Sequence, residues 1–418
     1  MIKEIYTIKN KEITLTVENN RISAVQKKDI TKTGLRLYDN NCIGIAGAVG
    51  VYNENRLLGE AKQMLGFKMP YEPAPTKSSR RILDYSSTFI LTEEDFFKIS
   101  EQLLAELSSE YPQFTFNHKI TLEESEIKLV NDLNTELIYR DKEVNVNLFL
   151  RHKESKNLMD SLGVVCGRDY DLEDTFKVMT ESCVCYDNKV ALPKVDDGKK
   201  MPVIFLYEHS LPLMKFITDL NGHAFGAGVS LFSGKVGEEL FSKKFTLKVS
   251  RDTKNDFVPF FDSEGTTLRG DSIELVERGI LKSPYSSKRA AKKYGLIPTS
   301  CGFGEYDNIP YTAPVGLAVS SSGKTIDELL KGRKAIYVII STGANFTSQG
   351  EFATSIQSAF LYENGELLGR LPQLFARSTV FDMFGEDFIG LSKDGNSKHN
   401  VFKYLALDME VTATAEWL

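Results

Sequence analysis

The sequence predicts an α+β protein whose second half is dominated by antiparallel strands. Apolar and polar residues alternate with period two over much of residues 1–50 and 114–151, which is typical of half-buried strands. Helical periodicity is confined to a few segments, and the second half combines glycines with strand-length apolar runs. The 418 residues exceed what one ordinary core organises, so we expect more than one domain.

Five segments carry helix signals. Leu57, Leu58, Ala61 and Leu65 recur on one face, and Thr92 precedes three acids in the way a helix N-cap does. The expected helices are 54–65, a helix that starts after Thr92, 171–179, 211–220 and 326–330.

Strand signals are more numerous. The first 50 residues predict a meander of short strands, and Asn364-Gly365 is the strongest hairpin turn in the sequence. Residues 273–281 read as a second hairpin of similar pattern, and 203–207 and 335–340 are compact apolar strands. The segment 114–151 is expected to hold four separate strands, at 114–120, 127–130, 136–139 and 144–151.

The charged cluster at residues 195–200 interrupts the pattern and marks the expected domain boundary. We therefore divide the chain into 1–198, with a proline-rich connector at about 68–78, and 199–418.

Composition excludes several classes of protein. The net charge is −6 with short, scattered basic runs, so nucleic-acid binding is not expected. No run approaches the roughly 20 apolar residues of a membrane span, and the N-terminus has no hydrophobic signal core, so we expect a cytoplasmic protein. The five cysteines are an odd number, and reduced structural thiols are the preferred interpretation.

The residues alone indicate no specific reaction. None of the five histidines pairs with another at helical spacing, and Glu208-His209 lacks a second histidine one turn later. There is no G-x-S-x-G elbow, and Ser320-Ser321-Ser322-Gly323-Lys324 reads as a turn or cap because its spacing differs from a phosphate loop.

Three further segments leave alternatives open. Cys301 would be a nucleophile only with a histidine beside it. The acidic turn at 262–266 suits a general acid–base pair or a solvated loop, and the loop is favoured. Residues 341–345 suit strand addition by a peptide or a plain turn.

Several segments together resemble the TldD/PmbA family, whose members are related to zinc peptidases and were named as proposed modulators of DNA gyrase. The likeness is loose across 70–190 and strong over most of 200–418. It is carried by the glycine–arginine segment Gly34-Leu35-Arg36, the F-S-G segment at 231–238, the F-D-x-E-G-T segment at 259–266, the hairpin at 273–281 and the E-N-G-E hairpin at 362–366.

The catalytic branch of this family carries H-E-x-x-x-H and a distant cysteine as its zinc site. Counting back without gaps from Phe232 places Leu213 and Thr218 at the two histidine positions and Met214 at the glutamate. The cysteine segment resembles residues 391–397, with Leu391 at the thiolate. The resemblance therefore implies the TldE/PmbA branch, with no metal site and no cofactor in this chain.

The resemblance further implies an N-terminal α/β domain with a mixed sheet and a C-terminal, mostly antiparallel β domain. It implies a TldD-type zinc peptidase subunit as partner, with the zinc in that partner, and an extended peptide as substrate. Phe232, Ser233, Gly343 and Asn345 are the expected peptide-binding residues. Two alternatives stay open: a homodimeric peptide-binding or regulatory protein of the gyrase-modulator type, and an independent hydrolase with a site rebuilt around Cys301, Glu264 or His223.

Overall fold

The computed structural model describes residues 1–194, 200–206, 211–255, 257–398 and 402–414. The helices are α1 Glu54–Gly66, α2 Glu93–Glu110, α3 Leu172–Thr180, α4 Met214–Asp219, α5 Gly222–Gly226, α6 Lys288–Tyr294, α7 Ile326–Leu330 and α8 Val380–Phe384. The strands of the first half are β1 Ile2–Glu18, β2 Arg21–Asp39, β3 Cys42–Val49, β4 Arg80–Asp84, β5 Phe114–Asn131, β6 Thr135–His152 and β7 Ser161–Gly167.

The strands of the second half are β8 Met201–Leu206, β9 Leu247–Ser250, β10 Ser272–Glu277, β11 Ile280–Leu281, β12 Gly302–Phe303, β13 Tyr311–Thr312, β14 Leu317–Val319, β15 Ala335–Phe346, β16 Glu351–Glu363, β17 Glu366–Arg370, β18 Leu374–Thr379, β19 Phe388–Gly395 and β20 Lys403–Ala413. The α+β class predicted from the sequence is confirmed.

A seven-stranded mixed sheet forms the first half, in the order β3-β2-β1-β5-β6-β4 with β7 also on β6. Only β4 runs parallel to its neighbour, β6. The expectation of four strands over 114–151 is wrong, because β5 and β6 pair without a break from Phe114–His152 to Asn131–Thr135. Long antiparallel strands satisfy each other's backbone groups even where their side chains are charged.

Two helices begin where the sequence predicts. Asn53 caps α1 by accepting the N–H of Arg56, and Leu57 and Ala61 bury its inner face. Thr92 forms a reciprocal capping box with Asp95, which satisfies two N–H groups at the start of α2. The predicted helices at 171–179 and 326–330 are confirmed as α3 and α7.

The second half is organised around a closed ring of strands, β15-β8-β20-β18-β16, which closes because β16 also pairs with β15. Its one parallel pair among the described residues is β8 with β15. A small sheet, β11-β10-β9-β14, and the pair β12-β13 lie beside the ring. Both predicted hairpins are confirmed, with Asn364-Gly365 and Arg278-Gly279 at positive φ in their turns.

The two halves make extensive contact. Phe360 of β16 belongs to the same buried cluster as Leu103, Leu148 and Met179 of the first half. The first sheet uses strands from residues 2–167 and the ring uses strands from 201–413, while the expected boundary at 198 lies outside the described residues.

Candidate functional site

The segment that aligns with the zinc helix is a short helix set on an aromatic cluster. A 3-10 turn, Leu211–Leu213, precedes α4, so the predicted helix 211–220 is shorter and tighter at its start than expected. Phe216 of α4 is fully buried, with its ring 5.7 Å from that of Phe232 and 4.9 Å from that of Phe384. This packing fixes which side chains of α4 face the interior.

The positions aligned with the zinc ligands point in different directions. Leu213 is buried in the main core, whereas Met214 is 40% exposed. The hydroxyl of Thr218 donates to the carbonyl of Lys215 and to Asp219. Leu391 is buried on β19.

A buried ion pair occupies the same helix. Nζ of Lys215 lies 2.8 Å from Oδ2 of Asp219, one turn apart, and both side chains are about nine-tenths buried. Asp219 also accepts the N–H of Leu231 at 2.6 Å, and Lys215 donates to the carbonyl of Ser348 at 3.4 Å. The carboxylate of this helix is therefore already neutralised, and the ammonium ties α4 to the turn between β15 and β16.

The segment that resembles the cysteine motif has a structural role of its own. The hydroxyl of Ser392 accepts the N–H of Tyr404, and Asp394 accepts the N–H of Ile326 at the start of α7. These contacts anchor the end of β19 to β20 and to α7.

The four expected peptide-binding residues lie in different environments. Phe232 is fully buried, and the hydroxyl of Ser233 donates to the carbonyl of Phe225. Gly343 has a φ of +70° in a bulge of β15, and Asn345 lines a cleft of about 410 Å³ between β15, β16, β18 and α8. Only Asn345 of the four lines this cleft, so the structure does not bring the set onto one surface.

Strand β15 has a second strand neighbour along only part of its length. Residues Ile336–Val338 pair with β8 on one side, whereas residues 340–346 have β16 as their only strand neighbour among the described residues. Thr347 and Glu351, at the turn into β16, line the same cleft as Asn345. An extended segment could therefore reach β15 and the cleft together.

The acidic turn 262–266 is not the solvated loop that the sequence favoured. Asp262, Ser263 and Glu264 are all at least 95% buried. Asp262 accepts the N–H groups of Glu264, Thr266 and Gly302 at 2.8–3.0 Å, which folds the turn around its carboxylate. This burial has no local signal in the sequence, because Gly302 and the other residues that enclose the turn lie far away along the chain.

Glu264 joins the two halves of the molecule. Its Oε1 accepts the hydroxyl of Tyr71 at 2.6 Å, and its Oε2 accepts the N–H of Lys288 at 2.7 Å. Burial, with Asp262 close by, raises the pKa of Glu264 to about 7. Beside it, the guanidinium of Arg36 donates to the carbonyl of Ser263. The resemblance singled out both Arg36 and this turn, and the structure brings them together.

The residues of the alternative, rebuilt site do not form a nucleophile–base pair. The thiol of Cys301 is fully buried and contacts the carbonyls of Thr299 and Val315, and burial raises its pKa to about 11. His223 packs edge-on against Tyr294, and burial lowers its pKa. His209 lies outside the described residues.

Residues 198–403 match the PmbA/TldA metallopeptidase C-terminal domain. The C-terminal half of the chain is therefore a domain of the TldD/PmbA family. Within the described residues, no group of three or more His, Cys, Asp and Glu side chains could hold a metal, and no helix is both long and apolar enough to cross a membrane.

The fold is that of several solved TldD/PmbA-related proteins. TldE from Thermococcus kodakarensis superposes with a TM-score of 0.81 and 16% identity over 99% of this chain and 96% of that one. An uncharacterized protein of Methanocaldococcus jannaschii is 21% identical over 92% of this chain and 90% of its own length. A metalloprotease of Methanothermobacter thermautotrophicus is 27% identical over 44% of each chain.

Proposed function

We propose that this chain is a non-catalytic, TldE-like subunit that works in proteolysis of unfolded peptides with a zinc-bearing TldD-type partner. The observation that carries the proposal is the buried Lys215–Asp219 ion pair inside the segment that aligns with the zinc helix. The ammonium group of Lys215 already occupies the carboxylate that could otherwise bind Zn²⁺, and neither Leu213 nor Leu391 offers a lone pair.

The side chains at the positions aligned with the zinc ligands also support a chain without zinc. A catalytic zinc site needs three protein ligands and an open position, held by imidazole, thiolate or carboxylate groups. At the aligned positions, Thr218 offers a hydroxyl that already has two partners and Met214 a thioether on the surface. These residues do not fit zinc, so the chemistry is assigned to the partner.

The likeness to TldE over nearly the whole chain supports the assignment to the partnered branch. The open edge of β15 and the cleft at Asn345 support a role in holding an extended peptide, since a strand edge binds a peptide through its backbone and a pocket reads alternate side chains.

The test is to purify the chain alone and together with a TldD-type zinc peptidase from the same host. We expect far less than one zinc per isolated chain by mass spectrometry of the metal, a heteromeric complex in native mass spectrometry, and cleavage of an unfolded peptide only by the complex. Near-stoichiometric zinc with cleavage by the isolated chain would reject the proposal. A homodimer that binds peptide but ignores the partner would favour the regulatory alternative instead.

A further inference from the structure

A second cavity, of about 580 Å³, lies away from the peptide cleft, between the turn Ser320–Lys324, the end of α7 and β19. Leu329 and Ile389 supply apolar surface at its base. Gly390 lets β19 lie close to Leu329, because a Cβ at that position would lie 3.2 Å from the Leu329 side chain. The volume falls in the range of small-molecule sites, about 300–1,000 Å³.

Three lysines from three different parts of the fold line this cavity. Lys244 precedes β9, Lys324 ends the turn, and Lys331 follows α7. None of the three forms an ion pair with a described residue, whereas Arg333, the fourth cation of the lining, pairs with Asp408.

Two of the three acids of the cavity have partners. Asp408 is held by Arg333 at 2.9 Å. Glu328 caps α7 by accepting the N–H of Thr325, and this contact first, then Lys393 and Lys324, lowers its pKa. Glu386 is the remaining carboxylate of the described lining. The lining therefore holds four cationic side chains, the three lysines and Arg333, against three carboxylates, in a chain whose net charge is −6.

We propose that this cavity binds a phosphate ester with an apolar or aromatic body, of the nucleoside monophosphate class. With Arg333 paired to Asp408, the three lysines face the two carboxylates of Glu328 and Glu386, which leaves an excess cation in the lining. A phosphate monoester carries a charge of about −1.5 to −2 and would be attracted to these lysines. Ser320 and Ser322 also line the cavity and offer hydroxyl groups beside the cations, and the apolar base suits a ring. The serine–glycine–lysine turn, too short for a phosphate loop, thus contributes to a phosphate site of a different form.

The experiment is titration of the full chain with AMP, adenosine and inorganic phosphate by isothermal calorimetry at low and high salt. We expect AMP to bind more tightly than either fragment and to weaken as salt rises, because exposed charges are screened. Each of Lys244→Gln, Lys324→Gln and Lys331→Gln should weaken AMP binding about three- to tenfold. Lys292→Gln, an exposed lysine of α6, is the matched control and should leave the affinity unchanged.

Equal binding of adenosine and AMP would overturn the proposal, as would the absence of AMP binding at millimolar concentration. An equal loss in the Lys292 control would also overturn it, since it would reduce the effect to general surface charge. All four lysines are exposed, so the variants should fold, which circular dichroism verifies.

Discussion

Glu264 illustrates how a single side chain can connect distant parts of the chain. Its carboxylate accepts hydrogen bonds from the hydroxyl of Tyr71 in the first half and from the backbone N–H of Lys288 in the second. The hydroxyl of Thr76 donates to the backbone carbonyl of Glu264. Lys288 closes the group by donating to Thr76 at 2.6 Å. A buried carboxylate that accepts two hydrogen bonds stabilises the fold. These contacts account for the burial of Glu264 without any catalytic role.

The raised pKa of Glu264 makes the stability of the protein depend on pH. Its pKa lies at about 7 in the folded chain against an ordinary 4.5, so the folded state holds this proton more tightly. The contribution is full below about pH 4.5 and is lost as the pH rises through 7, with a slope of at most about 1.4 kcal/mol per pH unit. We expect Glu264→Gln to flatten the fall in the free energy of unfolding between pH 5 and 8.

Denaturant unfolding at several pH values measures this slope. Glu264→Gln also loses one acceptor for the N–H of Lys288, which should lower the free energy of unfolding by about 1–3 kcal/mol at every pH. The test is therefore the change of the free energy of unfolding with pH, and not its absolute value. Burial raises the pKa of Glu181 to about 7 as well, which leaves a residual slope in the variant. An unchanged slope would contradict the assignment.

At the scale of elements, the packing of β2 against the 304–308 segment requires glycine. A Cβ on Gly34 would lie 1.6 Å from the carbonyl oxygen of Tyr306, a backbone atom that cannot swing away. We expect Gly34→Ala to destabilise the protein by about 1–3 kcal/mol, because the segment must shift to admit the methyl group. Gly59→Ala in α1, where nothing lies within 4 Å, is the control and should stabilise slightly.

Thermal unfolding of both variants decides the point. A melting temperature of Gly34→Ala equal to that of the wild type would show that the 304–308 segment adapts without cost.

Elements with local signals were predictable, whereas those that depend on distant pairing were not. The helix start at Thr92 and the Asn364-Gly365 turn are determined by neighbouring residues, and both were correctly predicted. The charged run Glu123–Glu126 was expected to separate two strands. It is instead part of β5 and pairs with β1 and β6 through the backbone. Period-two patterns lose their meaning where both faces of a sheet are partly exposed.

The whole molecule sets the limit on predicting the site. Arg36 meets Ser263 across 227 residues, and Tyr71 meets Glu264 across 193. The family resemblance had selected the segments that contain Arg36 and Glu264. Only the fold shows that these two segments hold the halves of the molecule together. The surroundings of the expected peptide-binding residues could not be predicted either. Phe232 is buried because it packs in the aromatic cluster around Phe216, and its neighbours in the sequence do not indicate this.

The junction between the halves should make the chain unfold as one unit. Arg81 of β4 binds Asp271 through two hydrogen bonds of 2.6 and 2.7 Å, and its guanidinium lies 4.4 Å from the ring of Phe260. We expect one calorimetric transition for the wild type. Arg81→Ala should lower its midpoint at a cost of about 1–2 kcal/mol, because a bidentate pair and a cation–π contact are lost together at a partly exposed site.

Arg56→Ala is the matched control, because Arg56 pairs with Glu60 within α1 and makes no link between the halves. It should leave the midpoint unchanged, as exposed pairs one turn apart contribute little. Two separate transitions in the wild type would show that the halves unfold independently, and the contacts of Arg81, Arg36 and Glu264 would then be too weak to couple them. A single transition that moves with Arg81 and not with Arg56 would mean that the fold of each half depends on the other.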